Sequence, residues 1–319
     1  MIEPDNKLKK VTVGITWGPD GGAVAVDGKL IGAHQPPSPP KRTLHARECA
    51  LDPSRLSGPK LKVKRAKKHI AELEALIHAF YKTNPYELYR EQDAKTGEYV
   101  HRMRVHSTIP AELSAVTGDA VHNLRAALDQ LVCQLVLANR RQIQRGTGFP
   151  ISQSAKHFAS NSVGKIKGVS ARADRLIRRL KPYKSGNTPL WILHELDVLD
   201  KHQGIIPVAA ANVSVKMNWS FTPISTHDGS LYIGNAPPGA RHVQTGPGIP
   251  IGSNVVYPVE DNSEVYRSAP HPLNEEIQCT ISIAFGQTQI TKGEPILETL
   301  QQLVIFLERV IAICETRIV

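Results

Sequence analysis

The chain is poor in cysteine, with four in 319 residues, at positions 49, 133, 279 and 314. No two of them form a Cys-x-x-Cys pair, which removes the usual zinc and redox-dithiol patterns. Cys133 and Cys314 sit inside helical apolar patterns, as small core residues do. Long apolar runs are also lacking. The best, Leu303-Val304-Ile305-Phe306-Leu307, is cut by Glu308-Arg309, far short of the roughly 20 residues that span a bilayer. Met1-Ile2-Glu3-Pro4-Asp5-Asn6 has no apolar segment behind a basic start, which argues against a secretory signal. The expected location is therefore cytoplasmic, with no membrane partner.

Three catalytic signatures are absent too. Gly18-Pro19-Asp20-Gly21-Gly22 lacks the Gly-Lys-Ser/Thr ending of a phosphate loop. His194-Glu195 is followed by Leu196-Asp197-Val198, so the second histidine of a zinc His-Glu-x-x-His helix is missing. No Gly-x-Ser-x-Gly turn supports a serine nucleophile. Nothing in the sequence calls for a cofactor.

What is present is basic charge, unevenly placed. Net charge is +10. Residues 1–68 hold fourteen Lys and Arg against six Asp and Glu, and residues 139–184 hold twelve against one. The rest is acidic by nine charges. Such segments attract phosphate backbones or an acidic protein, or else neutralise the acidic body from within.

Apolar content of 41% is enough for a core. Ala66, Ile70, Leu73, Ile77 and Phe80 form one stripe and predict a helix over 60–81, with a strongly basic start that opposes the helix dipole. Tyr86–Arg90 and Tyr99–Val105, flanking Thr96-Gly97, predict a hairpin. A long helix should run from Pro110 to about Asn139 on the seam Leu113, Ala120, Leu124, Ala127, Leu131 and Leu135. A short basic helix follows over 170–181, capped by Ser170, and another starts at Thr188-Pro189 and stops near Gly204. Val213–Met217 and Thr280–Phe285 read as strands, and a last helix covers about 295–317. Near the N-terminus, Asp27-Gly28 between two β-prone runs predicts a hairpin, ahead of a Pro-rich linker at 35–42.

The expected fold is α+β. A four-helix-like bundle carries a β-hairpin insertion and a separate, mostly antiparallel β layer. Four regions follow: an N-terminal appendage over 1–57, a helical domain over 58–204, a β-rich region over 205–290, and a C-terminal helix over 291–319 that returns to the bundle.

Two helices carry more polar residues than a plain core helix needs. On the second helix Asp119, His122 and Asp129 share a stripe beside the apolar seam, with Asn123, Arg125 and Gln130 near by. On the 188–203 helix His194, Asp197 and Lys201 share one face, and Glu195 and His202 another, with Asp200 close. The structural explanation is direct. Arg125–Asp129 and Asp197–Lys201 are i,i+4 ion pairs, and polar pairs fix how helices meet.

Gly118-Asp119-Ala120-Val121-His122-Asn123-Leu124-Arg125-Ala126-Ala127-Leu128-Asp129, with Phe149-Pro150-Ile151, Pro189-Leu190-Trp191-Ile192-Leu193-His194-Glu195-Leu196-Asp197 and Asp200-Lys201-His202, resembles a family of uncharacterised bacterial proteins frequent in actinobacteria. The likeness runs from about Arg65 to the last helix, and the family has no settled activity. Members often have His at the position of Gln130 and Arg at that of Gln203. An Arg followed by four residues and a His on a bundle helix is also similar to the motif of HEPN ribonucleases and RNA-binding domains. That similarity implies metal-free RNA cleavage, in which imidazole moves a proton and Arg stabilises phosphorane charge. Here the spacing gives Arg125 and Gln130, and glutamine exchanges no proton near neutral pH.

The candidate catalytic residues are Arg125, His122, Asp129, Asp200, Lys201 and His202. The candidate nucleic-acid contacts are Lys62, Lys64, Arg65, Lys67, Lys68, Arg172, Arg175, Arg178 and Arg179. The leading expectation is a HEPN-like helical protein that engages RNA or another phosphate-rich partner, with binding rather than catalysis as its role and an acidic protein as a further candidate partner. The alternative is a non-catalytic scaffold or homo-oligomer whose polar motifs fix helix packing. A metal-assisted hydrolase comes third, since Asp119, His122, Asp129, His194, Asp197 and Asp200 are suitable ligand types that match no known spacing.

Overall fold

In the computed structural model, residues 13–18, 21–26, 29–30, 56–217, 220–221, 244–245, 249–269, 275–286, 291 and 293–317 are described. Among these residues six helices accompany antiparallel sheets, an α+β fold. The linker at 35–42 and Cys49 lie outside the described residues.

Helix α1 (Ser57–Tyr81) buries Ala66, Ile70, Leu73, Ile77 and Phe80, the stripe that the period predicts, and also Val63. Helix α2 (Glu112–Ala138) buries Leu113, Ala120, Leu124, Ala127, Leu131 and Leu135 against it. Pro110 falls just before this helix rather than in its first turn; its carbonyl accepts from the Leu113 amide at 3.1 Å. Helix α3 (Ala155–Lys165), capped by Ser154, was not expected. Its Ser- and Asn-rich sequence carries little apolar periodicity, and only Phe158 and Ser162 are buried. Helix α4 (Ala171–Arg179) starts where expected, with the Ser170 hydroxyl accepting from the Ala173 amide.

Helix α5 (Thr188–His202) is capped one residue earlier than expected. The Asn187 side chain, not Thr188, accepts from the Leu190 amide, which moves Pro189 to the second helical position. Gly204, at φ 76°, ends it in the left-handed region that glycine tolerates. Helix α6 (Ile296–Arg317) packs on α1, α2 and α5, while α2 also packs on α5. No described helix is long and apolar enough to cross a membrane.

The hairpin pairs β4 (Tyr86–Gln92) with β5 (Tyr99–Val105). Strands β1 (Val13–Gly18), β2 (Gly21–Val26) and β3 (Lys29–Leu30) lie in the segment read as an appendage. The β2–β3 register joins Val26 to Lys29 across Asp27-Gly28. Later come β6 (Pro207–Met217), β7 (Ser220–Phe221), β8 (Gln244–Thr245), β9 (Ile249–Val256), β10 (Ser263–Ser268) and β11 (Glu275–Phe285). The largest sheet runs β3-β2-β1-β11-β6-β9, so β1–β3 continue the sheet of the β-rich region. The hairpin gains β10 as a third strand.

Along β11, Ile277, Cys279, Ile281 and Ile283 alternate inward. This buried row meets the helices where the Tyr81 hydroxyl of α1 donates to the Ile281 carbonyl at 3.2 Å. The helical layer is thus backed by the sheet along α1 and α6, and the polar stripes of α2 and α5 lie elsewhere.

Candidate functional site

Helices α2 and α5 pack side by side and antiparallel, His122 meeting Asp197 while Gly118 meets Asp200. Gly118 permits that approach. A Cβ there would lie 2.1 Å from Asp200 Oδ1, with the rest of the carboxylate under 3 Å. Asp197 is 5% exposed and accepts twice. His122 Nδ1 lies 3.3 Å from its Oδ1, and Lys201 Nζ lies 2.5 Å from its Oδ2. His122 itself is 54% exposed. A buried carboxylate therefore fixes the ring of a solvent-facing imidazole, an arrangement that selects one tautomer. Burial raises the pKa of Asp200, and the neighbouring charges of Asp197 and Asp119 raise it further.

Arg125 is 8% exposed and does something else. Its guanidinium donates to Asp129 Oδ1 at 2.8 Å and to the Phe149 carbonyl at 3.1 Å. Asp129 Oδ1 in turn accepts from the Phe149 amide at 2.8 Å. The triangle ties the loop before α3 to the middle of α2. Gly148 makes room for it, since a Cβ there would lie 2.7 Å from the same oxygen.

Gln130 points elsewhere, its side chain reaching the start of α1 where a Cβ on Gly58 would be 2.9 Å from Oε1. Five residues are about 140° around a helix, so Arg125 and Gln130 serve different neighbours. Of the sequence candidates, the fold brings His122 to Lys201 through Asp197. Arg125 and Asp129 form a separate structural knot, Asp200 packs on Gly118, and His202 is exposed. Among the described residues no three His, Cys, Asp or Glu side chains are placed to hold a metal.

His194 is a half-buried histidine beside this seam, with its Nδ1 turned inward. Its Nδ1 has no hydrogen-bond partner, and Trp191 meets its ring edge-on with centroids 6.1 Å apart. Burial lowers its pKa to about 4, with Arg125, Lys165 and Lys201 opposing a further charge and Asp197 favouring it. The unfolded chain holds this proton below about pH 6.5, whereas the folded chain holds it only below about 4. The stability it contributes is therefore complete above about pH 6.5 and falls as pH drops towards 4. His101, lowered to about 4 by burial and Arg90, acts in the same direction. His194→Gln is expected to flatten the loss of Tm between about pH 7 and pH 5. Melting curves across that range check it, and an unchanged slope would contradict the burial argument.

The basic clusters divide. On α1, Lys60 pairs with Glu315 at 2.6 Å and Lys67 with Glu308 at 2.5 Å, both on α6. Those two cations are neutralised within the fold, so Lys67 is not a free phosphate contact. Lys64, Arg65 and Lys68 are exposed and form no ion pair among the described residues. Lys62 and Arg65 turn towards α2. With His69, Asp119, His122 and Gln130 they line a cleft of about 370 Å³, where Lys62 Nζ lies 3.4 Å from Asn123 Oδ1. His69 was not singled out in the sequence, although it follows Lys62 and Arg65 at helical steps of three and four.

Over 139–184 the balance differs. The one acidic residue, Asp174, holds Arg178 at 2.8 Å. The other eleven Lys and Arg make no ion pair among the described residues, and all but Lys165 are exposed. Arg172, Arg175 and Arg179 fall at steps of three and four on α4, opposite the buried Ala173 and Ile177. They form one outward stripe about 10 Å long.

No family model matches the chain, and no curated protein or solved structure matches it at a significant level.

Proposed function

We propose that the protein is a HEPN-like helical RNA-binding protein that engages the phosphate backbone through the basic surface of residues 139–184. One observation carries this reading: eleven of the twelve cations there lack an ion pair among the described residues, so the fold does not consume them. Neutralisation from within accounts for Lys60, Lys67 and Arg178, but it does not account for Arg172, Arg175 and Arg179 on α4. Exposed, like-charged side chains raise the cost of folding through self-repulsion, and phosphate binding relieves it.

Binding, rather than cleavage at Arg125, is the function proposed. Arg125 is held by Asp129 and Phe149, and Gln130 supplies no proton. The scaffold reading keeps one specific support, because the Arg125 knot and the doubly paired Asp197 use the polar motifs to set helix packing.

The test is fluorescence anisotropy with single-stranded RNA. The triple variant R172A/R175A/R179A is expected to bind at least about tenfold more weakly than the parent, because three charged contacts are lost. Its Tm should hardly move, since exposed substitutions of this kind cost within about 0.5 kcal/mol. Equal affinity of parent and variant would remove α4 from the interface. Binding of an acidic protein but not RNA would favour the scaffold.

A further inference from the structure

We propose that the cleft between α1 and α2 binds the phosphate group of a small, hydroxyl-bearing phosphomonoester, such as a sugar phosphate. The inference does not depend on RNA binding by α4, for the two surfaces have no residue in common.

Four observations converge. First, Lys62 and Arg65 both line the cleft, and neither forms an ion pair among the described residues. The adjacent cations Lys60 and Lys67 are already paired with α6, and of the unpaired cations of this segment Lys62 and Arg65 are the ones that line the cavity, Lys64 and Lys68 facing outward. Second, His69 and His122 stand on the lining as well, His69 beside Glu72 at 3.6 Å and His122 held through Nδ1 by Asp197. Anchoring Nδ1 leaves Nε2 as the ring atom for a ligand. Third, the cleft opens at the beginning of α1, where Gly58 contributes to the wall. That helix has no side-chain cap and no acidic residue in its first turn, and basic residues stand there against the helix dipole. A phosphate placed at Lys62 and Arg65 offsets the positive charge that the helix dipole opposes.

Fourth, Asp119 also lines the cleft. One carboxylate beside two cations disfavours a bare anion, but it accepts from a ligand hydroxyl next to the phosphate. With Asn123 and Gln130 near by, the lining offers cations to a phosphate and acceptors to the hydroxyl groups beside it. A volume of about 370 Å³ is of the size that small-molecule sites have.

Calorimetric titration of the full chain with ribose 5-phosphate, inorganic phosphate and ribose tests this. Saturable binding is expected for ribose 5-phosphate, weaker binding for inorganic phosphate, and none for ribose. The variant K62A/R65A should weaken the binding of ribose 5-phosphate by at least about tenfold. D119N should reduce the preference for ribose 5-phosphate over inorganic phosphate. R65Q alone should weaken binding as well, which covers the case of a poorly folded double variant. The α4 triple variant should bind ribose 5-phosphate like the parent, whatever it does with RNA. No saturable heat with ribose 5-phosphate, or binding untouched by K62A/R65A and R65Q, would overturn the proposal. Equal affinity for inorganic phosphate and ribose 5-phosphate would overturn its hydroxyl half.

Discussion

Arg125→Ala is expected to destabilise the protein by about 2 kcal/mol, because a buried guanidinium with two partners is lost. The substitution strands the Phe149 carbonyl and removes the buried stem of the arginine from the core of α2. Asp129 is 43% exposed and recovers hydration, which keeps the loss from being larger. Arg178→Ala is the control: its pair with Asp174 lies on the surface of α4, and its loss should cost under about 1 kcal/mol. Denaturant unfolding of both variants measures the difference. An Arg125→Ala protein as stable as the parent would mean that the guanidinium is not structural, and would return Arg125 to the list of working residues.

Much of the helical framework was legible because it follows from local periodicity. The stripe from Ala66 to Phe80 and the seam from Leu113 to Leu135 each show one buried face, as expected. Helix α3 was not legible, because Ser160, Asn161 and Ser162 give no apolar period and its register rests on Phe158 alone. Strands β9 and β10 sit among Pro and Gly residues and are defined by partners in β6 and β5, which no local pattern reveals. The cap at Asn187 was misplaced by one residue because Thr188 is an equally good cap by type.

The site shows the same division. His122 and Asp197 were each singled out by stripe position, and their meeting follows from two amphipathic helices burying their seams together. The true partners of Arg125 depend on a loop folding back over α2, and half of that contact is a backbone carbonyl, invisible to residue type. The neutralisation of Lys60 by Glu315 spans 255 positions and required the last helix to be placed against the first. Charge counts alone treated the two basic segments as equivalent, whereas tertiary contacts separate them.

The second large effect is the salt dependence of RNA binding. A protein that neutralises Z phosphates on a single strand loses affinity with a slope of about −0.7Z in log K against log salt. If Arg172, Arg175 and Arg179 each meet one phosphate, their removal should make the slope shallower by about 2. A structural role for these residues would leave the slope unchanged, and any change in affinity would then follow the Tm.

The decisive measurement is therefore a salt titration of single-stranded RNA binding by the parent and by R172A/R175A/R179A. A steep parent slope that becomes shallower by about 2 in the variant, with Tm unchanged, is the predicted result. Absence of binding by the parent even at low salt, where the electrostatic attraction is strongest, would contradict the proposal that this basic surface engages RNA.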